Sequence, residues 1–301
     1  LMLLITFFTT KERIVPKPEQ KSSLKEDLGD LFKNVPWIIM LTVTTLVFIT
    51  LAMKGGSYVY YFENYVDKTQ LTAFLEPMKS FLPAFENDIS MGLGVFNGGG
   101  ILIGLIGIML SKNLADKYGK RNVFGASLFV STLFIILFYF YPPQSVGLMF
   151  GSQILHMFFY GISTPILWTM IADVADYSEW KNNRRATAII FSAMMVGLKG
   201  GLSIGSSLLT LILGMFNYQP QATTSQSAET INGIKMLVSI FPAIPFLIAV
   251  GLLVFYVIDK NKLEVVKTIQ IPEKYLPSVK VGDKTIESRG PVHFEFNADG
   301  S

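Results

Sequence analysis

The sequence predicts an all-α membrane protein with six transmembrane helices, and three observations predict it. Half of the residues are hydrophobic and only 16% are charged, with a mean hydropathy of +0.45, a balance foreign to a water-soluble domain. Six apolar runs of about 20 residues or more are each long enough to cross ~30 Å of hydrocarbon at ~1.5 Å rise per residue. The basic residues, finally, crowd into alternate connections between those runs.

Taken in order, residues 1–8 are apolar but too short to span, and their charges follow rather than precede them, the wrong order for a signal peptide. They read as the last turns of a preceding transmembrane helix. Residues 9–35 are polar and mixed in charge, a central cytoplasmic loop. The first full span runs from Pro36 to Tyr61, with Pro36 where a first helical turn tolerates it. A polar and aromatic stretch, Phe62 to Ser90, leads to a second span, Met91 to Leu110, whose seven glycines predict tight helix packing. A basic turn from Ser111 to Asn122 precedes the third span, Val123 to Tyr141. After Pro142-Pro143 come the fourth span, Ser145 to Ile171, and a charged connection, Ala172 to Ala186. The fifth span is Thr187 to Met215, the sixth Gly233 to Ile258, and residues 259–301 form a polar tail. The six-helix bundle thus occupies residues 36–258.

Charge sets orientation. The connecting segments hold, in order, six, two, four, none, three, none and seven Lys or Arg residues, an alternation that places both ends of this segment in the cytoplasm. All 22 Asp and Glu residues fall in loops, tails or span boundaries, so no carboxylate lies in a membrane core. Cysteine is absent, which excludes disulfides, thiolate metal sites and cysteine nucleophiles.

Three polar stripes cross this apolar background. Lys199 lies ~18 Å in from Thr187 by helix rise, where an unpaired charge costs ~3 kcal/mol or more. Steps of three and four from it reach Met195, Ser192, Ser203, Ser206 and Thr210 on one face, while Gly197, Gly201 and Gly205 occupy the opposite face. In the fourth span Gln153, His156, Tyr160, Thr164 and Trp168 share a face, with His156 ~15 Å deep. Thr50, Lys54, Ser57 and Tyr61 form a third stripe near the outer end of the first span, where Lys54 is expected to snorkel to the interface. With no carboxylate in these spans, Lys199 requires a counter-charge from another segment, a ligand or water.

The segment from Ala172 to Ala186 is dense in charge: Asp173, Asp176 and Glu179 are three apart and would line one face of a continued helix, with Arg184 and Arg185 able to fold back onto them. Gly201-Leu-Ser-Ile-Gly205 fits G-x-S-x-G, but no strand precedes it and it carries no nucleophile elbow. Gly98 to Gly100 lack the Lys-Ser/Thr of a phosphate loop.

Asp173-x-x-Asp176-Tyr-x-Glu179-Trp-Lys181, then Arg185, then Lys199 at its separation, with Gly214 and Tyr218 ending the span, resembles the glycoside-pentoside-hexuronide:cation symporter family. Leu114-Ala-Asp-Lys-Tyr-Gly-Lys-Arg121 is similar to the cytoplasmic loop motif of the wider major facilitator superfamily. The resemblance covers all six spans and implies the C-terminal half of a twelve-helix fold, partnered by an N-terminal six-helix half. It implies a sugar or glycoside between the halves, faced by Lys199. The family's sugar-stacking aromatic falls at Thr164 and its polar pair before the lysine at Met194 and Met195, departures that suggest a different sugar or pose, with Trp168 as a substitute stacking group.

The expected function is secondary transport of a sugar or glycoside coupled to Na+ or H+ by alternating access, not an enzyme. Expected substrate-binding residues are Lys199, Thr164, Trp168, His156, Tyr160 and Met195. Asp116, Arg121, Asp173, Asp176, Glu179 and Arg185 are expected to form a cytoplasmic gate. No cofactor, metal site or nucleic-acid partner is expected, the coupling-cation site being implied in the N-terminal half and the location in the inner membrane. Alternatives are a lipid-headgroup transporter of the same superfamily, a membrane-embedded enzyme or a sensor.

Overall fold

Helix starts follow local side-chain chemistry. In the computed structural model, which describes residues 8–9, 29, 31–80, 87–182, 187–220, 225–258, 279–281 and 284–286, helix α1 (Val35–Asn64) begins behind Asn34. The Asn34 side-chain oxygen accepts from the Trp37 N–H at 3.4 Å, and Pro36 sits in the first turn, where its missing donor costs nothing. Asp67 caps the short helix α2 (Lys68–Lys79) through the Gln70 N–H at 2.9 Å, and Asn87 caps α3 (Asp88–Tyr118) through the Ser90 N–H at 2.8 Å. Gly119, with φ of 83°, is the whole connection between α3 and α4 (Lys120–Leu137); its left-handed backbone is where a side chain would be strained. There follow α5 (Val146–Asn182), α6 (Thr187–Met215), α7 (Ala228–Val238) and α8 (Ile240–Leu252).

Six stretches among the described residues are long and apolar enough to cross a membrane: Val35–Asn64, Asp88–Tyr118, Lys120–Leu137, Val146–Lys181, Thr187–Met215 and Ala228–Phe255. Their number and order are those expected from the sequence. Four details differ. The stretch after Tyr61 contains a helix, α2, whose apolar face, Leu71 and Leu75, is buried. The basic turn before the third span is helical up to Tyr118. The fourth span continues past Ile171 to Asn182, so the acidic motif is helical. The sixth span is broken at Ser239, because Pro242 has no N–H for the Val238 carbonyl and its ring crowds that carbonyl. In the tail, Val279–Val281 and Lys284–Ile286 pair as a small antiparallel hairpin with Lys280 opposite Thr285. The expected end of a preceding helix, the central loop and the rest of the tail fall almost wholly outside the described residues.

Glycine stripes decide which helices touch most closely. On α6, an added Cβ would come within 2.7 Å of Leu41 at Gly197, 2.5 Å of the Thr45 carbonyl at Gly201 and 2.5 Å of the Ile49 carbonyl at Gly205, all on α1. On α3, Gly100 and Gly104 approach Met157 of α5, and Gly107 and Gly104 lie closest to the Phe158 carbonyl and to Gly161, where no Cβ would fit. Without a hydrophobic drive between helices in lipid, close approach and dispersion are what hold such pairs together. α4 packs on α5, and α8 on α1 and α4.

Two apolar clusters result. One joins Val43 and Val47 of α1 to Phe124 and Leu128 of α4, Ile166 and Met170 of α5, Met194 of α6 and Phe246 of α8. The other joins Tyr58 and Phe62 of α1 to Phe96, Phe138, Phe150, Leu209 and Leu237. Just past the C-terminal end of α1, Lys235 lies over the rings of Tyr65 and Tyr139, 5.2 and 4.9 Å from their centroids.

Replacing Gly201 with Val should drive a branched side chain into the Thr45 carbonyl and the Phe48 Cβ and cost about 1–3 kcal/mol. Thermal unfolding in detergent should show a clear loss for Gly201→Val and little change for Gly214→Ala, which has open space around it.

Candidate substrate-binding and gating residues

The α6 stripe divides as the spacing predicts. Its glycine face is seated on α1, and Lys199, Met195, Ser192, Ser203, Ser206 and Thr210 are exposed on the other side. Two of the hydroxyls are satisfied within the helix: Ser206 donates to the Leu202 carbonyl at 2.9 Å and Thr210 to the Ser206 carbonyl at 3.2 Å. Among the described residues no ion pair or hydrogen bond to Lys199 is formed, so its charge faces outward from this half. Met194, one position from the exposed Met195, is buried and touches the Thr44 hydroxyl through its sulfur at 4.0 Å.

The α5 stripe is graded along its length. Gln153 and His156 are buried, whereas Tyr160, Thr164 and Trp168 are half-buried. His156 is pinned between helices: the Ser131 hydroxyl of α4 lies 2.8 Å from its Nδ1. Its ring stacks on Tyr160 with centroids 6.1 Å apart, and Tyr160 stacks in turn on Phe246 of α8 at 6.1 Å. Thr164 donates to the Tyr160 carbonyl at 3.1 Å, and Trp168 packs against the first apolar cluster. α5 and α6 touch, but among the described residues no hydrogen bond, ion pair or ring contact joins this row to Lys199. The structure therefore places the six expected substrate residues on two neighbouring helices, five at least partly open and His156 enclosed.

Lys54 departs from expectation. It does not snorkel: it is only 4% exposed, and its Nζ donates to Gln153 Oε1 at 3.1 Å. The Tyr58 hydroxyl donates to the same oxygen at 2.8 Å, and the ammonium lies 5.2 Å from the centre of the Tyr58 ring. The reason is the direction of the side chain, which points from α1 into the contact with α5 instead of along the helix to the surface. The available signal was Tyr58 one turn after Lys54 and Gln153 one turn before His156; their meeting depends on how α1 and α5 are docked.

At the opposite end, Lys120 closes onto the acidic motif. Its Nζ donates to both carboxylate oxygens of Asp173, at 2.7 and 2.6 Å, and Asp173 is buried while Lys120 is about a quarter exposed. Arg121 Nη1 donates to the Tyr256 carbonyl at 3.0 Å, and the Tyr256 hydroxyl donates to the Met170 carbonyl at 3.4 Å. Burial, with the Asp173 carboxylate after it, pushes the Tyr256 phenol well above its ordinary range, so it remains a donor. Of the other expected gate residues, Asp116 is exposed on the last turns of α3, Asp176 and Glu179 are half-buried on α5, and Arg185 lies outside the described residues. Lys120, adjacent to the expected Arg121, is the residue whose role the spacing did not single out.

Known proteins share this sequence over its helical part. A family model described as MFS/sugar transport protein matches residues 1–260. The inner membrane symporter YicJ of Escherichia coli (strain K12) is 31% identical over 249 residues, 83% of this chain and 49% of that protein. The putative glycoside/cation symporter YagG of the same organism is 28% identical over 245 residues, 81% of this chain and 48% of that protein. The isoprimeverose transporter of Lactiplantibacillus pentosus is 26% identical over 262 residues, 86% of this chain and 50% of that protein. The chain spans about half the length of the curated relatives it matches. With six apolar helices, a matching family model that extends through all of them and relatives named as symporters, this multi-pass membrane chain belongs to the MFS/sugar transport protein family.

Proposed function

We propose that the chain is the C-terminal half of a secondary active transporter that couples uptake of a sugar or glycoside to Na+ or H+ by alternating access. The observation that carries the proposal is Lys199: a cation at mid-depth of α6, on the face opposite the glycine contacts, open and with no described carboxylate paired to it. An N-terminal six-helix bundle of the same protein would cover this face, supply the acid that balances Lys199, and hold the coupling-cation site. The sugar would lie between the halves, hydrogen-bonded to Lys199 and Thr164, stacked on Trp168 or Tyr160 and bordered by Met195; His156 would act from behind through Tyr160. The names of the relatives support a sugar and a cation as cargo. The distribution of basic residues supports an orientation with both ends of the segment in the cytoplasm of an inner-membrane protein.

Alternating access of this kind rocks one half against the other around a central site. Asp116, Arg121, Asp173, Asp176, Glu179 and Arg185 would form the cytoplasmic gate, with Lys120–Asp173 holding the α3–α4 turn to the end of α5. Closing the gate needs this end of the half to be rigid, and the doubly bonded ammonium makes it so.

In the full-length transporter, Lys199→Ala should lower cation-coupled uptake of labelled sugar in vesicles by more than about tenfold, and uptake at the wild-type rate would refute the role. Asp173→Asn should cost about 1.5–3 kcal/mol, the worth of a hydrogen bond to a charged group, since it leaves Lys120 facing a neutral amide. In a double-mutant cycle, Lys120→Met with Asp173→Leu should recover part of that loss, and strictly additive costs would show that the pair is not coupled.

A further inference from the structure

Lys54 and Asp173 are the charged side chains that the described bundle buries, and they are treated differently. Asp173 has the Lys120 ammonium. Around Lys54 the described contacts are neutral: Gln153 Oε1 at 3.1 Å and the face of the Tyr58 ring at 5.2 Å. Gln153 Oε1 already accepts from the Tyr58 hydroxyl, so both of its lone pairs are used. Of the helices packed on α1, α7 brings a charged side chain, Lys235, to the rings of Tyr65 and Tyr139 and not to Lys54. On α1 the titratable groups around the cluster are Tyr58 and Tyr61; on α5 it is His156, within Coulombic range of Lys54 and hydrogen-bonded to Ser131 of α4. α3 contributes Phe96 and Gly100, α6 contributes Leu209, and α8 contributes the Pro242 carbonyl that accepts from Thr50 at 2.8 Å. No described Asp or Glu reaches the cluster.

Its place in the bundle is also informative. Gly201 of α6 meets Thr45 of α1, which puts Lys199 at about the level of Thr45, and Lys54 is nine residues further along α1, or ~13 Å towards the outer side. The cluster spans the contact of α1 with α5 within this half, and water reaches it only where that contact loosens.

We propose that Lys54 is a proton-exchanging group of the transport cycle: its amine exchanges one proton with water each time the Lys54–Gln153–Tyr58 cluster passes between its enclosed and hydrated forms. The step is an acid–base one, R–NH3+ ⇌ R–NH2 + H+, with water as the proton donor and acceptor. Either protonation state keeps an N–H for Gln153 Oε1, so the cluster need not come apart when the proton moves. An enclosed amine without a carboxylate differs from a hydrated one by a whole uncompensated charge, and this difference ties the proton to the conformation. The inference rests on the transporter reading above and adds to it an ionisable site inside this half.

The test uses the full-length protein, with Lys54→Met and Lys54→Arg compared with wild type. In proteoliposomes at a fixed cation gradient, uptake by both variants between pH 5 and 10.5 should lose a titration limb that wild type shows. In weakly buffered detergent, protons exchanged on adding sugar should fall by about one per transporter. Variants that keep the wild-type pH profile and proton count overturn the proposal. Melting temperature across the same pH range separates the site from transport: the wild-type curve should diverge from that of Lys54→Met with pH, whereas a constant offset marks a purely structural lysine and overturns the proposal. If wild type takes up no sugar at all, the transporter reading fails, and the melting curves still decide whether Lys54 exchanges a proton.

Discussion

Where two helix backbones can touch in this bundle is set by glycine, and the placing of its polar groups depends on those contacts. Gly201 and Gly205 bring α6 against the backbone of α1 at distances that leave no room for a methyl group, and Gly197 meets the Leu41 side chain. Seating α6 by that face rotates Lys199 and the hydroxyl row to the other side, because residues two positions away on a helix cannot share a face. Gly100, Gly104 and Gly107 do the same for α3 against α5. That second docking turns Gln153 towards α1 and His156 towards α4, where their hydrogen-bonding partners stand. The glycines thus act as a set of bearings: they carry no chemistry, and they determine which chemistry faces inward.

The interior so formed is two apolar clusters with a belt of polar groups at their junction. Thr50, Lys54 and Ser57 of α1, Ser131 and Thr132 of α4, and Ser152, Gln153 and His156 of α5 are all buried there. In hydrocarbon a polar group without a partner costs several kcal/mol, so such a belt persists only where its members bond to one another or to carbonyls. Their bonds do this: Thr50 to Pro242, Thr132 to Leu128, Ser131 with His156, and Lys54 and Tyr58 with Gln153. Several of them cross between helices and therefore register α1, α4, α5 and α8 along the membrane normal, which dispersion between smooth apolar faces does only weakly.

The end of the bundle that carries the acidic motif is held by charge instead. Asp173 is on a helix that continues past the apolar span, and Gly119 reverses the chain between α3 and α4 in a single residue, delivering Lys120 to the carboxylate. Arg121 and Tyr256 tie the end of the last helix into the same corner. Charged side chains are tolerated here because the corner is near the membrane face, where Lys120 remains partly hydrated.

The sequence by itself determined the six spans, their order, the glycine and polar faces of α6 and the family resemblance, because length, apolar content and helical spacing are local properties that survive without knowledge of neighbours. Only the tertiary structure decided what the polar residues do. Lys54 reads as an interfacial lysine until α1 is docked on α5; then the shortest path for its side chain leads to Gln153, not to water. His156 and Trp168 share one helical face by spacing, yet one is enclosed by α4 and the other half-open, since burial belongs to the neighbouring helices and not to the stripe. Asp173 meets Lys120, fifty-three residues away, for the same reason: partners of that kind are brought together by packing, which no local pattern encodes.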